Sequence, residues 1–211
     1  MKAAEHFFTI TYHKLMVMDY CFSVGLIKQG LLHDLSKYSP TEFMVGARYY
    51  QGDQSPNNAE RIDRGCSTAW MHHQGRNLHH FEYWIDYSAT AKKGIRVPIR
   101  MPRRYLVEMF LDRIAASKVY NPKSYDDSFP LKYLMRSYNE IPMHQRTKEE
   151  LKFLLKMLSE HGENYTFEYI RKKVLKNDRR RENFIQWYAV NGQPYIGKLL
   201  GCIEKLGNSF R

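Results

Sequence analysis

The sequence predicts an all-α protein, and three observations support that prediction. Apolar residues recur at helical spacing over most of the 211 residues, as they do in amphipathic helices. The alternation of apolar and polar residues that is typical of half-buried strands is nearly absent. Sequences that open helices precede two of the periodic stretches. With 43% hydrophobic residues, the chain can bury a core large enough to offset the entropy of folding.

The first predicted helix covers about residues 6–29. The second begins at Ser39, an N-cap residue followed by Pro and then by Glu42, and continues to about Tyr50. A second capping box is predicted from Thr147 and Glu150. The remaining helices are predicted at about 58–73, 101–120, 130–139, 148–161, 166–176, 179–190 and 194–206. Between them, Gly, Pro and polar residues predict breaks near 75–77 and 121–129, a short helix or turn at 79–88 and an exposed loop at 91–102.

Several classes of protein are excluded by the composition. No apolar run approaches the roughly 20 residues of a membrane span, and the amino terminus lacks the apolar core of a signal peptide. Cys21, Cys66 and Cys202 are too far apart for a metal knuckle and too few for a disulfide framework. We therefore expect a cytoplasmic protein with no membrane partner.

Charge and histidine are distributed in opposite directions along the chain. The formal net charge is +11, but residues 1–91 hold 8 Lys and Arg against 9 Asp and Glu, whereas residues 92–211 hold 25 against 13. Seven of the nine histidines lie in the first 91 residues. Basic clusters at 92–104 and at Arg171–Arg181 are either solvated faces or surfaces for a polyanion. Nucleic acid is thus a possible partner of Arg171–Arg181, and the basic loop can also steer an anionic substrate.

A series of histidines and aspartates indicates a metal site. In chain order it comprises His13, His33-Asp34, His72-His73, His79-His80 and Asp112. Imidazole nitrogens and carboxylate oxygens are ligands for Mn, Fe, Co, Ni and Zn. If His33 and Asp34 lie on one helix, they point about 100° apart and both reach an ion beside it. The other ligands then come from neighbouring helices, as in metal-binding helical bundles.

The order His, His-Asp, Asp resembles that of the HD superfamily of metal-dependent phosphohydrolases. This resemblance implies an HD-domain-like helical bundle in which His13, His33, Asp34 and Asp112 bind one ion. The histidines at 72–80 resemble those of HD subgroups that hold two ions. Because Gly75 and Asn77 break the helix, we expect His73 and one of His79 and His80 to be ligands, with His72 at the surface or in contact with substrate.

The chain also resembles the DUF5662 family, over roughly residues 10–120. Four motifs carry this resemblance, namely His13-Lys14, His33-Asp34-Leu35-Ser36-Lys37-Tyr38-Ser39-Pro40-Thr41-Glu42-Phe43, the stretch from Ala69 to Trp84 with both histidine pairs, and Glu108-Met109-Phe110-Leu111-Asp112. Leu78 and Phe81 stand where Pro and Trp are usual in that family, a difference expected to affect packing rather than chemistry. Beyond about residue 145 no family is recognised.

Four charged residues near the series have possible supporting roles. Lys37 lies one turn from His33, where a cation would stabilise phosphoryl oxygens, and Arg76 is a second candidate able to bind phosphate in a fork. A salt bridge is the alternative for each. Glu108 is either a hydrogen-bond acceptor for a ligating imidazole or a solvated charge, and Glu42 is either such an acceptor or part of the capping box.

The leading functional prediction is a metal-dependent phosphohydrolase that acts on a phosphate ester, with a nucleotide as the expected substrate. It would use one or two divalent transition metal ions (Mn, Fe, Zn, Co or Ni), with Asp34, Lys37 and Arg76 as catalytic residues. Two alternatives remain open: a di-iron oxygenase similar to inositol oxygenase, and a nucleic-acid-binding helical protein with a structural or vestigial site. The predicted domains are an HD-like domain at 1–140 and a basic helical extension at 141–211.

Overall fold

The computed structural model of the chain describes residues 2–90, 94–175 and 179–209. These residues form ten α-helices and one two-stranded sheet, which confirms the all-α class. The helices are α1 (Lys2–Ser23), α2 (Ile27–Leu32), α3 (Pro40–Tyr49), α4 (Pro56–Arg64), α5 (Thr68–Gln74), α6 (Arg103–Tyr120), α7 (Phe129–Met135), α8 (Gln145–Tyr169), α9 (Arg179–Asn191) and α10 (Gln193–Ser209). None of the described helices is long and apolar enough to cross a membrane.

Helix α6 is the centre of the hydrophobic core. Its apolar residues, Phe110 and Ile114 among them, are buried on nearly every side, as expected for a helix enclosed by other helices. Helices α1 and α8 contribute Val17, Cys21, Leu151, Leu155 and Leu158 to the same cluster, and Val24, which follows α1, also belongs to it. Because α6 also carries Glu108 and Asp112, core packing fixes the position of both carboxylates.

Two of the predicted helices are each divided by a glycine. The helix expected at 6–29 ends at Ser23, because Gly25 has a φ of 77° and the Leu26 amide bonds to the Cys21 carbonyl at 2.7 Å. This left-handed glycine is a common helix ending. Gly65, with a φ of 74°, likewise separates α4 from α5 within the stretch predicted as one helix.

The region after the second histidine pair contains a small hairpin that the sequence did not predict. Where a short helix or turn was expected, a 3-10 turn (Phe81–Trp84) leads into β1 (Ile85–Tyr87). The loop expected at 91–102 contains β2 (Arg96–Pro98), which pairs antiparallel with β1. Residues 91–93 of that loop lie outside the described residues. Strands of three residues are too short to show alternation in the sequence.

Both predicted capping boxes are wrong in detail. Helix α3 begins after Ser39 as expected, but the Ser39 hydroxyl makes no capping bond and the Glu42 carboxylate contacts histidines instead. Helix α8 begins at Gln145, and its N-cap is His144, which accepts from the Arg146 amide at 3.2 Å. Thr147 instead accepts a hydrogen bond from the Met101 amide.

The carboxyl-terminal helices pack against α1. Helix α8 is interrupted at Gly162, whose φ of 77° and ψ of 178° are not helical, so its two parts agree with the separate helices predicted at 148–161 and 166–176. The second part continues into a π-helical turn (Ile170–Val174); residue 176 is not among those described. Tyr188 of α9 donates a hydrogen bond to Asp19 at 2.6 Å, and α10 lies along α1. The domain boundary at residue 140 stays a prediction, and residues on both sides of it share one core.

Candidate metal centre

His33 and Asp34 lie in a tight turn rather than on one helix, which corrects the expected placement. The turn joins α2 to a 3-10 turn (Leu35–Tyr38), and Asp34 adopts a left-handed conformation with φ 53° and ψ 21°. Asp tolerates this region better than most residues do, yet such backbone conformations cluster at functional sites. The Lys14 ammonium donates to the carbonyls of Leu31 and His33, each at 2.9 Å, and thereby ties the turn to α1.

Four side chains form the first donor group, and they are the four that the HD resemblance implied. His13 comes from α1, His33 and Asp34 from the turn, and Asp112 from α6. The His13 Nε2 lies 3.0 Å from the Asp112 Oδ1 and 3.6 Å from the Asp34 Oδ2. The His33 Nε2 lies 3.4 Å from the same Asp34 oxygen and 3.4 Å from the His13 Nε2. Four donors from three parts of the chain thus converge on one small volume.

The second donor group uses the other oxygen of Asp34. It comprises Asp34, His73, His79 and His80, with ligand atoms all within 4.8 Å of one another. The Asp34 Oδ1 lies 3.2 Å from the His73 Nε2 and 3.5 Å from the His79 Nε2. The Asp34 Oδ1 and the Nε2 atoms of His79 and His80 are shielded from solvent without a hydrogen-bond partner. Both His79 and His80 join the group, whereas only one of them was expected.

These distances fit a metal ion in each group. Donors bound at about 2.1 Å to one ion lie about 3.0 Å apart at right angles and about 3.4 Å apart in a tetrahedron. The separations of 3.0 to 3.6 Å in the first group and of 3.2 and 3.5 Å in the second are close to these values. Buried polar atoms normally have hydrogen-bond partners, so the unpartnered atoms are a second indication that the group could hold a cation. Asp34 would then serve both ions.

Two buried glutamates orient the imidazoles from outside. Glu108 Oε1 lies 3.0 Å from the His33 Nδ1 and 3.2 Å from the His79 Nδ1. Glu42 contacts the Nδ1 atoms of His73 at 2.7 Å and of His72 at 2.6 Å. An ionised carboxylate only accepts hydrogen bonds, so these Nδ1 atoms donate, and the Nε2 atoms of His33, His73 and His79 are the ones that would bind an ion in place of a proton. His33, His79 and Glu108 are also close enough to hold an ion themselves, but this hydrogen-bonding role accounts for their proximity.

The electrostatic environment favours cations at the first group. Burial opposes the ionisation of Asp34, but the charges of His33 and Lys37 outweigh it and hold the Asp34 pKa well below its usual range. The Asp112 pKa is also held low against burial, by hydrogen bonds from His13 and His33. Burial lowers the His33 pKa, yet the neighbouring carboxylates raise it to about 10. Carboxylates that favour a proton on His33 equally favour a metal cation beside it.

A cavity of about 300 Å³ opens beside both groups. Lys37 lines it, and the Lys37 Nζ lies 2.6 Å from the Asp34 Oδ2. The cavity has several lining residues that the sequence analysis did not single out as site residues, namely His6, Thr9, Glu82, Met109, Arg113, Tyr120 and Tyr133. Arg113 follows Asp112 directly, and that adjacency was the signal available in the sequence; nothing in the sequence places Tyr133 of α7 at this cavity.

Arg76 is not brought to the cavity. Its side chain is exposed and donates to the His72 carbonyl at 3.3 Å. His72 is partly buried and bonded to Glu42, so it is not a surface residue, and it belongs to neither donor group. The sequence-based role of Arg76 as a phosphate ligand therefore has no support from its position.

The comparison with protein families places this site in a wider group of sequences. The family model described as "Family of unknown function (DUF5662)" matches residues 2–157. The chain belongs to this family. No curated protein and no solved structure matches this chain. The DUF5662 region includes every donor of both groups and ends within α8.

The basic segment Arg171–Arg181 lies entirely beyond the DUF5662 region, and none of its described residues belongs to a donor group. Arg171 donates to the Ser23 carbonyl at 3.2 Å, and Arg181 donates to the Leu175 carbonyl at 2.7 Å. Residues 176–178 of the segment are outside the described part of the chain. Binding of nucleic acid by this segment stays a prediction.

Replacing Glu108 by Gln is expected to weaken metal binding about 10- to 100-fold, the usual cost of losing a hydrogen-bonded partner of a ligating histidine. The neutral amide removes the charge that holds the Nδ1 protons of His33 and His79. Titration of the metal-free DUF5662 chain with Mn²⁺ or Zn²⁺, followed by calorimetry, measures the change. Glu160→Gln, at an exposed position on α8, is the control, and an affinity for E108Q within twofold of the parent value would contradict the assignment.

Proposed function

We propose that this chain is an HD-type metal-dependent phosphohydrolase that acts on a phosphate ester, with a nucleotide as the favoured substrate. The observation that carries the proposal is the sharing of Asp34 between two donor groups through its two carboxylate oxygens. Two-ion sites of this kind are common among enzymes that cleave phosphate esters. The order of the donors along the chain also supports the HD assignment.

The residues present suit transition metals. The two groups together contain five imidazoles and two carboxylates, a donor set that favours Mn, Fe, Co, Ni or Zn over Mg²⁺, which prefers oxygen donors. When bound, such ions lower the pKa of a water molecule and polarise a phosphoryl oxygen. His13, His33, Asp34 and Asp112 would hold one ion, and Asp34, His73, His79 and His80 the other.

Lys37 supplies positive charge beside the shared carboxylate. The Lys37 side chain is about a quarter exposed and lines the cavity, and its ammonium contacts the Asp34 Oδ2. The Asp34 charge also keeps the Lys37 pKa above its usual value although burial lowers it, so the ammonium stays protonated. Its remaining N–H groups are available to the equatorial oxygens of a phosphoryl group, where negative charge accumulates during transfer.

A di-iron oxygenase similar to inositol oxygenase is the second candidate. The observation that favours it is the imidazole-rich donor set, which suits iron as well as the other transition metals. The two candidates differ in their reaction rather than in their ligands. Loading with Fe²⁺ under anaerobic conditions, followed by admission of O₂, separates them, because only the oxygenase consumes O₂ over many turnovers with oxidation of an organic substrate, whereas oxidation of the bound Fe²⁺ alone stops once the iron is ferric.

The test of the hydrolase proposal is an assay with mononucleotides, cyclic nucleotides and dinucleotides in the presence of each of the five metals. We expect phosphate ester cleavage that EDTA abolishes and that falls more than about 100-fold in Asp112→Asn, since a direct ligand should matter more than an outer-shell partner. Asp53→Asn, an exposed aspartate on the loop before α4, is the matched control. Hydrolysis that persists in D112N or in EDTA would overturn the proposal, as would O₂ consumption by the iron-loaded chain without hydrolysis of any ester.

A further inference from the structure

Arg113 is a partly buried cation whose guanidinium pairs with none of the described residues. It follows the donor Asp112 on α6 and lines the cavity beside both donor groups. Its Nε is shielded from solvent without a hydrogen-bond acceptor. Within the described residues, the guanidinium forms neither a hydrogen bond nor an ion pair within 4.0 Å. Arg171, by contrast, donates a hydrogen bond to the Ser23 carbonyl at 3.2 Å.

An unpaired guanidinium in this position is costly unless a ligand pairs with it. Transfer of a charged group from water into the protein carries a penalty that a partner must offset. Burial lowers the Arg113 pKa, but arginine remains protonated in proteins. The cavity therefore holds a permanent positive charge with N–H groups that no residue of the described chain accepts.

The nearest carboxyl groups leave Arg113 free for an anion. Asp112 is directed to the first donor group, where its Oδ1 lies 3.0 Å from the His13 Nε2. Glu82 also lines the cavity, and its Oε2 is shielded without a hydrogen-bond partner. The Glu82 carboxyl makes no ion pair with Arg113 within 4.0 Å, so neither of these carboxyl groups occupies the guanidinium.

We propose that Arg113, acting with Lys37, binds the phosphate group of a small phosphomonoester in this cavity. This inference rests on the proposed hydrolase function and narrows its substrate class. Arginine binds phosphate oxygens in a bidentate fork, and two cations beside a metal site favour the doubly charged phosphate of a monoester over a diester. The cavity volume of about 300 Å³ is at the small end of ligand pockets, which favours a mononucleotide-sized or smaller molecule over a dinucleotide.

The test is the binding of inorganic phosphate to the metal-loaded chain, measured by isothermal titration calorimetry. We expect Arg113→Gln to weaken phosphate binding about 10- to 100-fold, the effect of losing charge-assisted hydrogen bonds. Arg113→Lys should lose less, because it keeps the charge but not the fork. Metal content by elemental analysis should stay unchanged in both. Arg104→Gln, in the first turn of the same helix and exposed, should bind phosphate as the parent does.

The outcomes separate this inference from the proposed function. If R113Q binds phosphate within twofold of the parent while the parent hydrolyses esters, the hydrolase proposal stands and the role of Arg113 is overturned. If phosphate binding depends on Arg113 but no ester is cleaved, the anion site is supported and the hydrolase proposal fails. If circular dichroism shows that R113Q is unfolded, the folded R113K variant is measured instead. Phosphate binding by R113K equal to that of the parent would overturn the bidentate contact proposed for Arg113.

Discussion

Replacing Asp34 by Asn is expected to remove both metal ions at once and to reduce metal-dependent hydrolysis by more than about 1000-fold, because both ions contribute to the chemistry of two-ion sites. Asp34 is the one residue of the described chain that belongs to both complete donor groups, with Oδ2 facing the first and Oδ1 the second. Asn is the informative substitution because it tolerates the left-handed backbone at this position while removing the charge. Ala would add backbone strain to the loss of the ligand.

Elemental analysis of purified D34N and parent chain, each dialysed against the same metal, measures the predicted loss. Asp53→Asn controls for the chemical change at an exposed position. Circular dichroism establishes that D34N retains its helices. A D34N chain that retains both ions with unaltered affinity would show that the two groups do not share this carboxylate.

Metal binding is expected to raise the melting temperature by about 8 to 16 °C. A ligand at 1000 times its dissociation constant stabilises the folded state by about 4 kcal/mol, and each kcal/mol corresponds to about 2 to 4 °C in a chain of this size. The donors come from five parts of the chain, namely helix α1, the turn between α2 and α3, helix α5, the segment between α5 and α6, and helix α6 itself. An ion therefore links parts of the chain that separate on unfolding, and the unfolded chain has no comparable site.

Differential scanning calorimetry of the metal-free chain with and without Mn²⁺, Fe²⁺, Co²⁺, Ni²⁺ or Zn²⁺ measures this shift. Mg²⁺ at the same concentration serves as a control, because the imidazole-rich donors suit it poorly. The shift should vanish in EDTA and in D34N. A melting temperature that none of the five metals changes by more than a degree would contradict binding at these groups.

The fold class could be predicted from the sequence because helical periodicity is a local property of the chain. The hairpin could not be predicted, because strands of three residues are too short to show a periodic pattern and each strand pairs with residues about ten positions away in the sequence. The breaks at Gly25 and Gly65 depend on positive φ values, which a glycine permits but does not require. A sequence therefore shows where such a break can occur rather than where it does.

The donor residues could be predicted because metal ligation restricts the residue types and because their order resembles a known pattern. The orientation of the side chains around them could not be predicted. Glu42 fits the sequence pattern of a capping box, yet its carboxylate hydrogen-bonds to His72 and His73, which lie in a different helix. Arg76 lies in sequence between the histidine pairs but does not line the cavity, whereas Arg113, which directly follows Asp112 on α6, does line it. Such distinctions depend on packing between distant segments.

The central claim is that two metal ions share Asp34. Anomalous diffraction from crystals of the chain grown with Mn²⁺ or Zn²⁺ tests it most directly, because it locates ions independently of any activity. We expect two anomalous peaks, one bonded to His13, His33, Asp34 and Asp112, and the other bonded to Asp34 and to the histidines at 73, 79 and 80. Crystals of the metal-bound chain that show no peak at Asp34, or ions only at other residues, would contradict it.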